Sequence, residues 1–289
     1  MRSLSFTQNR EGVLSVSSVV TKKSLGEFLL LKLSLEQYHK VQWYVSVDEY
    51  SYHTLQGFEN IIVLKNIESD NGSHAANDPE KNRIHLKMMM TKFDALRAAI
   101  REHGYGLFID ADIFFTGPIE ERVLQLMLNS SIDALLSPHM TNNPTLEGNV
   151  GYYNGGFFTL RNTNLLEEII SVSWRHQELG LYYEQQPLQF VSYPYLTVNL
   201  PIHYNIGWWR FNEPNTGSRL ELLTTNGQQL MFGNRPAICF HAHTLKRLDY
   251  ENYGHFLVDR VFTQMKATPQ NKKYQDILEF ITNYAPHDT

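Results

Sequence analysis

A single cysteine, Cys239, stands in 289 residues, so no internal disulfide can form and a disulfide-stapled framework is excluded. That scarcity suits a reducing compartment, and a cytoplasmic location is the expectation it supports. Lys and Arg number 25 against 30 Asp and Glu, with no basic stripe, which gives no reason to expect nucleic acid as a partner. No apolar run approaches the length of a membrane span, and residues 1–12 lack the long apolar core of a signal peptide. Low-complexity tracts, internal repeats, a P-loop and a nucleophile-elbow glycine pattern are missing as well. These absences leave an ordinary globular chain, long enough to bury a sizeable core.

What is there reads as alternating strands and helices. Val13 to Val20 is a valine-rich strand, Ser24 caps a helix from Leu25 to His39, and Val41 to Val47 is a β-branched and aromatic strand. Asp48 caps a short segment before a third strand, Ile61 to Leu64. This order predicts parallel strands joined by helical crossovers. Glu68 to Asn82 is polar and punctuated by glycine and proline, hence a long loop. Met89, Phe93, Leu96 and Ile100 then fall on one face of a helix that Gly104 terminates. Further on, Glu120 to Leu128 and Thr163 to Gln177 read as helices, and Asp133 to Ser137, Tyr152 to Leu160 and Pro236 to Phe240 as strands. Met140 to Gly148 reads as a loop, the stretch around Glu184 as a connector, Leu196 to Tyr204 as extended, and the tail from Tyr250 as helical.

One stretch stands out. Gly106 to Ile109 is a short apolar strand that ends in two carboxylates, Asp110 and Asp112. Charge at the end of a buried strand is costly unless a cation, a basic partner or solvent offsets it. In an open α/β sheet, ligands bind just outside the carboxyl ends of the strands. Two carboxylates with open positions left over suit Mg²⁺ or Mn²⁺ shared with a diphosphate, and that is the reading adopted. A phosphatase of the haloacid-dehalogenase type also uses an Asp pair, but there Thr or Val stands where this chain has Phe114, and the pair lies on the first strand rather than after three.

Other residues suit the same site. Lys92 lies off the apolar stripe of the preceding helix, where it can neutralise phosphate. Asn154-Gly155-Gly156 interrupts an aromatic strand, marking either a bulge or the close approach of a ligand. His241 and His243, at i and i+2, can both reach one ion, with Lys246 shortly after. Trp208-Trp209-Arg210 is either a platform for a sugar or a core anchor.

Taken in order, these residues resemble the GT-A glycosyltransferases, in particular the retaining group of glycogenin and the bacterial lipopolysaccharide galactosyltransferases. Thr91-Lys92-Phe93 is similar to the family's Thr-Lys-Leu, and Ile109-Asp110-Ala111-Asp112 to its Leu-Asp-Ala-Asp. Gly117-Pro118-Ile119 falls at its short turn after that motif. Tyr153-Asn154-Gly155-Gly156-Phe157 resembles its Phe-Asn-Ser-Gly-aliphatic, and Glu184-Gln185 its Asp-Gln. Leu200-Pro201 with Tyr204-Asn205 resembles its Leu-Pro and Tyr-Asn pair, and Ile238-Cys239-Phe240-His241 with Lys246 its histidine strand and phosphate-binding lysine. The chain departs from the pattern in three replacements, Glu184 for Asp, Gly155 for Ser and His243 for a small or apolar residue, and the glycine usual between the histidine and the lysine is missing.

The resemblance implies a Rossmann-like mixed sheet flanked by helices, with residues 1–249 as the glycosyltransferase domain and 250–289 as its C-terminal helical extension. It implies transfer of a hexose or pentose from a nucleotide-diphosphate sugar, UDP favoured over GDP, to a glycan or other hydroxyl acceptor, with Mn²⁺ or Mg²⁺ as cofactor. Asp110, Asp112 and His241 would hold the metal. Lys92, Asp110, Asn154, Gly155, Gly156, His243 and Lys246 would bind the donor, and Gln185, Glu184 and Asn154 would line the reaction centre. A non-catalytic scaffold of the same fold that binds glycan or nucleotide is the alternative expectation.

Overall fold

The computed structural model describes residues 12–68, 79–141, 143–211, 217–245 and 255–284. The first strands follow the alternation of the sequence: β1 (Val13–Val20), α1 (Leu25–Glu36), β2 (Lys40–Val47), α2 (Glu49–Leu55) and β3 (Ile61–Lys65). Asp48 caps α2, its carboxylate accepting from the Ser51 backbone N–H. Next come α3 (Pro79–His103) and β4 (Gly106–Ile109). Gly104 closes α3 at φ +73°, a left-handed conformation that glycine adopts without strain. Strands β1 to β4 run parallel, as crossover helices require.

The chain then departs from pure alternation. A short β5 (Ile113–Phe115) is followed by α4 (Glu121–Leu128), β6 (Ala134–Pro138), α5 (Pro144–Val150), β7 (Tyr153–Leu160), α6 (Thr163–Trp174), α7 (Gln185–Val191) and β8 (Thr197–Asn199). The main sheet is seven-stranded, in the order β3-β2-β1-β4-β7-β6-β8, and mixed, because β7 runs antiparallel to both of its neighbours. Period-two alternation distributes its side chains. Leu107 and Ile109 pack with Phe28, Leu31 and Leu35 of α1 in one apolar cluster, whereas Phe108 packs with Phe93, Leu96 and Ile100 of α3 in another. Helices therefore cover both faces, in agreement with the mixed, helix-flanked sheet expected.

Smaller elements complete the chain: β9 (Ile206–Gly207), α8 (Gly217–Leu220), β10 (Leu223–Thr225), β11 (Leu230–Phe232), β12 (Arg235–Pro236), β13 (Cys239–His241), α9 (His255–Lys266) and α10 (Lys272–Tyr284). Strands β5, β13 and β9 form a second sheet of three. In it Ile113 faces His241, and His241 faces Gly207. The tail helices share an apolar cluster with Leu30 of α1 and Phe114 of β5.

Several expectations need correcting. Residues 79–82, read as loop, open α3, since proline is tolerated in the first turn of a helix. Residues 144–148, also read as loop, lie in α5, where Asn143 accepts from the Leu146 N–H and Pro144 sits at the start. The connector after Glu184 is helix α7, and its Pro187 falls in the first turn, where no intrahelical N–H is needed. Of the extended stretch 196–204, the strand is Thr197–Asn199. Met90, not Met89, joins the buried stripe of α3.

Candidate active site

Two strand pairings bring the expected residues together. Strand β4 ends at Ile109, and antiparallel β7 starts beside that end, so Ile109 pairs with Phe157 and the Asp110 N–H donates to the Gly156 carbonyl at 2.8 Å. Asn154, Gly155 and Gly156 thus lie against the Asp motif. Beyond Asp112 the chain enters β5, and its partner β13 delivers His241, with the Ala242 N–H donating to the Asp112 carbonyl at 3.0 Å.

The donor atoms of Asp110, Asp112 and His241 all lie within 4.8 Å of one another. His241 Nε2 stands 3.2 Å from Asp112 Oδ1 and 3.9 Å from Asp110 Oδ2. His243 Nδ1 meets the other oxygen of Asp112 at 2.9 Å. Burial pushes the Asp110 carboxyl up to about 6, with Lys92 and His241 pulling the other way. Burial opposes charge on Asp112 as well, but His241 and His243 outweigh it and hold that carboxyl well below the usual range. Two carboxylates and an imidazole form a donor set that suits Mn²⁺ better than the oxygen-seeking Mg²⁺.

The double glycine makes room for this convergence. A Cβ at Gly156 would overlap the Asp110 carboxylate and lie 2.5 Å from His241 Cε1. One at Gly155 would sit 2.8 Å from Glu184 Oε1 and 2.9 Å from Gln185 Cγ. The bulge reading holds, since the β6–β7 register also breaks here, between Leu136 and Ser137.

Lys92 is 1% exposed, and its Nζ meets Glu184 Oε1 at 2.6 Å and the Gly155 carbonyl at 3.3 Å. The same ammonium lies 4.7 Å from the centre of the Phe108 ring. Gln185, the first residue of α7, accepts from the Gly155 N–H at 3.0 Å and from Asn154 Nδ2 at 3.3 Å. Lys246 lies outside the described residues.

Two residues with no role assigned from sequence join the site. His139, at the end of β6, accepts from Asn154 Nδ2 through Nε2 at 3.3 Å and donates from Nδ1 to the Gly151 carbonyl at 2.8 Å. Burial pulls its pKa down to about 4, so it is neutral. Asn205, quoted from sequence only as part of a Tyr-Asn pair, accepts from His241 Nδ1 at 3.0 Å. The tryptophan question resolves in parts. Trp209 is a core anchor, its Nε1 donating to the His139 carbonyl and its ring edge-on to His241 at 5.0 Å, and Arg210 is buried on four backbone carbonyls. Trp208 is half-buried.

Asp110, Asp112, Asn154, Gln185 and His241 line a cleft of about 380 Å³ whose walls include Tyr182, Tyr183, Trp208 and Met89. A larger cavity, about 610 Å³, runs along the other side of α3 by Arg83 and Asp94 and holds none of the titratable site residues. Among the described residues no helix is long and apolar enough to cross a membrane.

No family model and no curated protein sequence matches the chain. Solved structures do. The galactosyltransferase LgtC, in complex with donor and acceptor sugar analogues, superposes with a TM-score of 0.54 at 12% identity, over 95% of this chain and 98% of that one. Glycosyltransferase GlyE of Streptococcus pneumoniae gives 0.54 at 13%, over 96% of this chain and 66% of its own. The apo form of mouse xyloside xylosyltransferase 1 gives 0.50 at 12%, over 80% and 98%. With its seven-stranded mixed sheet and flanking helices, this chain has the GT-A fold of those glycosyltransferases.

Proposed function

We propose that the protein is a metal-dependent, retaining glycosyltransferase that takes a hexose or pentose from a nucleotide-diphosphate donor, UDP rather than GDP, and passes it to the hydroxyl of a glycan or similar acceptor. The observation that carries this reading is the meeting of Asp110, Asp112 and His241 at the carboxyl end of the central strand, in one cleft with Asn154 and Gln185. Asp110, Asp112 and His241 would hold Mn²⁺ or Mg²⁺, and the bound ion would supply positive charge to a leaving diphosphate. His243 and Lys246 are assigned to the phosphates, Asn154, Gly155 and Gly156 to the donor, and Gln185 and Glu184 to the reaction centre. Lys92, expected on the phosphates, is instead buried on Glu184 and is assigned to positioning it. Inversion would call for a free carboxylate base at the acceptor. Glu184 is committed to Lys92, which favours retention. Residues 1–249 would be the catalytic domain and 250–289 its helical extension. A cytoplasmic setting belongs to the same reading.

The test is a panel of nucleotide sugars incubated with protein and Mn²⁺, read as released nucleotide diphosphate. A UDP-sugar should give release that excess EDTA abolishes. UDP with Mn²⁺ should also raise Tm by several degrees, and UDP in EDTA should not. Stabilisation by glycan without metal, and no release from any donor, would favour the non-catalytic scaffold instead.

Gly156→Ala offers a test that needs no donor. The added methyl group must displace Asp110 or His241. Mn²⁺ affinity, measured by electron paramagnetic resonance, should fall on the order of 10- to 100-fold. Unchanged affinity would remove the metal from this place.

A further inference from the structure

Asn205 has none of the roles assigned above, yet it is fully buried and every polar atom of its side chain is engaged. Its Nδ2 donates to Ser137 Oγ at 3.0 Å and to Asn154 Oδ1 at 2.9 Å, and its Oδ1 faces His241 Nδ1 at 3.0 Å. Pairing of β9 with β13 puts it there, since Ile206 lies opposite Phe240 and Gly207 opposite His241. The backbone is left-handed at Asn205, φ +47°, a conformation that asparagine tolerates far better than most side chains.

We propose that Asn205 is a positioning residue that holds His241 in the Nδ1-protonated tautomer, so that Nε2 presents its lone pair toward Asp110 and Asp112. The orientation of every amide in the chain of bonds follows from two backbone groups that cannot reverse roles. The Gly156 N–H donates at 2.9 Å to Asn154, so the Asn154 atom there is Oδ1. Its Nδ2 then faces Gln185 and His139, and His139 can accept because its own Nδ1 proton lies on the Gly151 carbonyl. The Asn205 atom facing Asn154 Oδ1 must be a donor, which is Nδ2. Oδ1 is left for His241, and an acceptor there demands a proton on Nδ1. A proton on Nε2 instead would set two acceptors against each other at Asn205 and, though it could donate to Asp112 Oδ1 at 3.2 Å, would leave no lone pair there for an ion. The metal ligand's tautomer is thus set by hydrogen bonds reaching from β9 through β7 to the end of β6.

The inference rests on the reading of Asp110, Asp112 and His241 as a metal site, and the two are separable by experiment. Long-range ¹H–¹⁵N correlation spectra of the metal-free protein at pH 9 report the tautomer of neutral His241 directly. The expected result is a predominant Nδ1–H form, and a predominant Nε2–H form would overturn the proposal whatever the metal does. Asn205→Gly removes the acceptor and keeps the left-handed backbone. It should lose the tautomer bias and bind Mn²⁺ roughly 10- to 100-fold more weakly. Asn205→Asp keeps an acceptor on His241 Nδ1 but sets a second acceptor against Asn154 Oδ1, so it should restore the tautomer and only part of the affinity. A folded Asn205→Gly protein with wild-type Mn²⁺ affinity, or an Asn205→Asp protein with the Nε2–H tautomer, would overturn it. Should Asn205→Gly not fold, the wild-type and Asn205→Asp spectra decide. Wild-type protein that binds no Mn²⁺ would defeat the metal site and leave the tautomer result to stand or fall alone.

Discussion

Asp112→Asn is expected to lower sugar transfer by about 10³-fold, with Mn²⁺ binding lost at concentrations that saturate the wild type. The substitution keeps the shape of the side chain and removes its charge, and Asp112 is where that charge matters most. Its two oxygens meet His241 at 3.2 Å and His243 at 2.9 Å, and these histidines hold its carboxyl ionised well below the usual range. Asp110 differs, since burial pushes its carboxyl up to about 6. Asp112 is engaged by both histidines, whereas Asp110 stands 3.9 Å from His241, so loss of Asp112 should exceed loss of Asp110 in effect on metal affinity. Calorimetric titration with Mn²⁺ and a nucleotide-release assay on both Asn variants check this order. Thermal unfolding of the metal-free Asp112→Asn protein should stay within roughly 4 °C of wild type, about 1 kcal/mol for a chain of this size. A variant that keeps a tenth or more of wild-type transfer would defeat the assignment.

The parts of this site that follow period and punctuation could be read from sequence. The apolar run Gly106 to Ile109 that breaks into carboxylates gave the position of β4, and the expected helix before it is α3. Asn154-Gly155-Gly156 announced a close approach because side chains larger than hydrogen would collide with Asp110 and Glu184. What could not be read is pairing between distant segments. Ile113–Phe115 is three residues long, too short to show alternation, yet as β5 it anchors the sheet that carries His241 to Asp112. Strand β7 carries no local mark of its antiparallel direction, and that direction alone sets Asn154 beside Asp110.

The same limit applies to the supporting residues. His139 follows a strand and a proline with nothing in its neighbourhood to distinguish it, and its role depends on Asn154 and Gly151 meeting it in space. Lys92 was legible as a lysine off the apolar stripe, and a phosphate contact was the natural expectation. Its engagement by Glu184, 92 positions away in the chain, is a tertiary fact. Substitution of a site glutamate for the aspartate of the resembled motif makes sense here in terms of reach, because the longer side chain spans from the start of α7 to the buried ammonium.

That ion pair gives the second large effect. Lys92→Met should destabilise the protein by about 3–5 kcal/mol, because it strands the Glu184 carboxylate in the interior. Lys92 and Glu184 have side chains 1% and 5% exposed, so solvent does not screen the loss. In a thermal melt the change corresponds to a fall of roughly 10 °C. The pair itself need not be worth that much, since desolvation of two ions offsets most of their attraction. A double variant, Lys92→Met with Glu184→Met, should therefore recover most of the stability lost in the single one while remaining inactive in transfer. Melting curves of the wild type, the two single variants and the double variant close the cycle. Recovery of stability without activity would place the pair among the parts kept for chemistry, where Lys92 draws Glu184 and the Gly155 carbonyl together beside Gln185. A Lys92→Met protein that melts within a degree or two of wild type would show that Glu184 finds another partner.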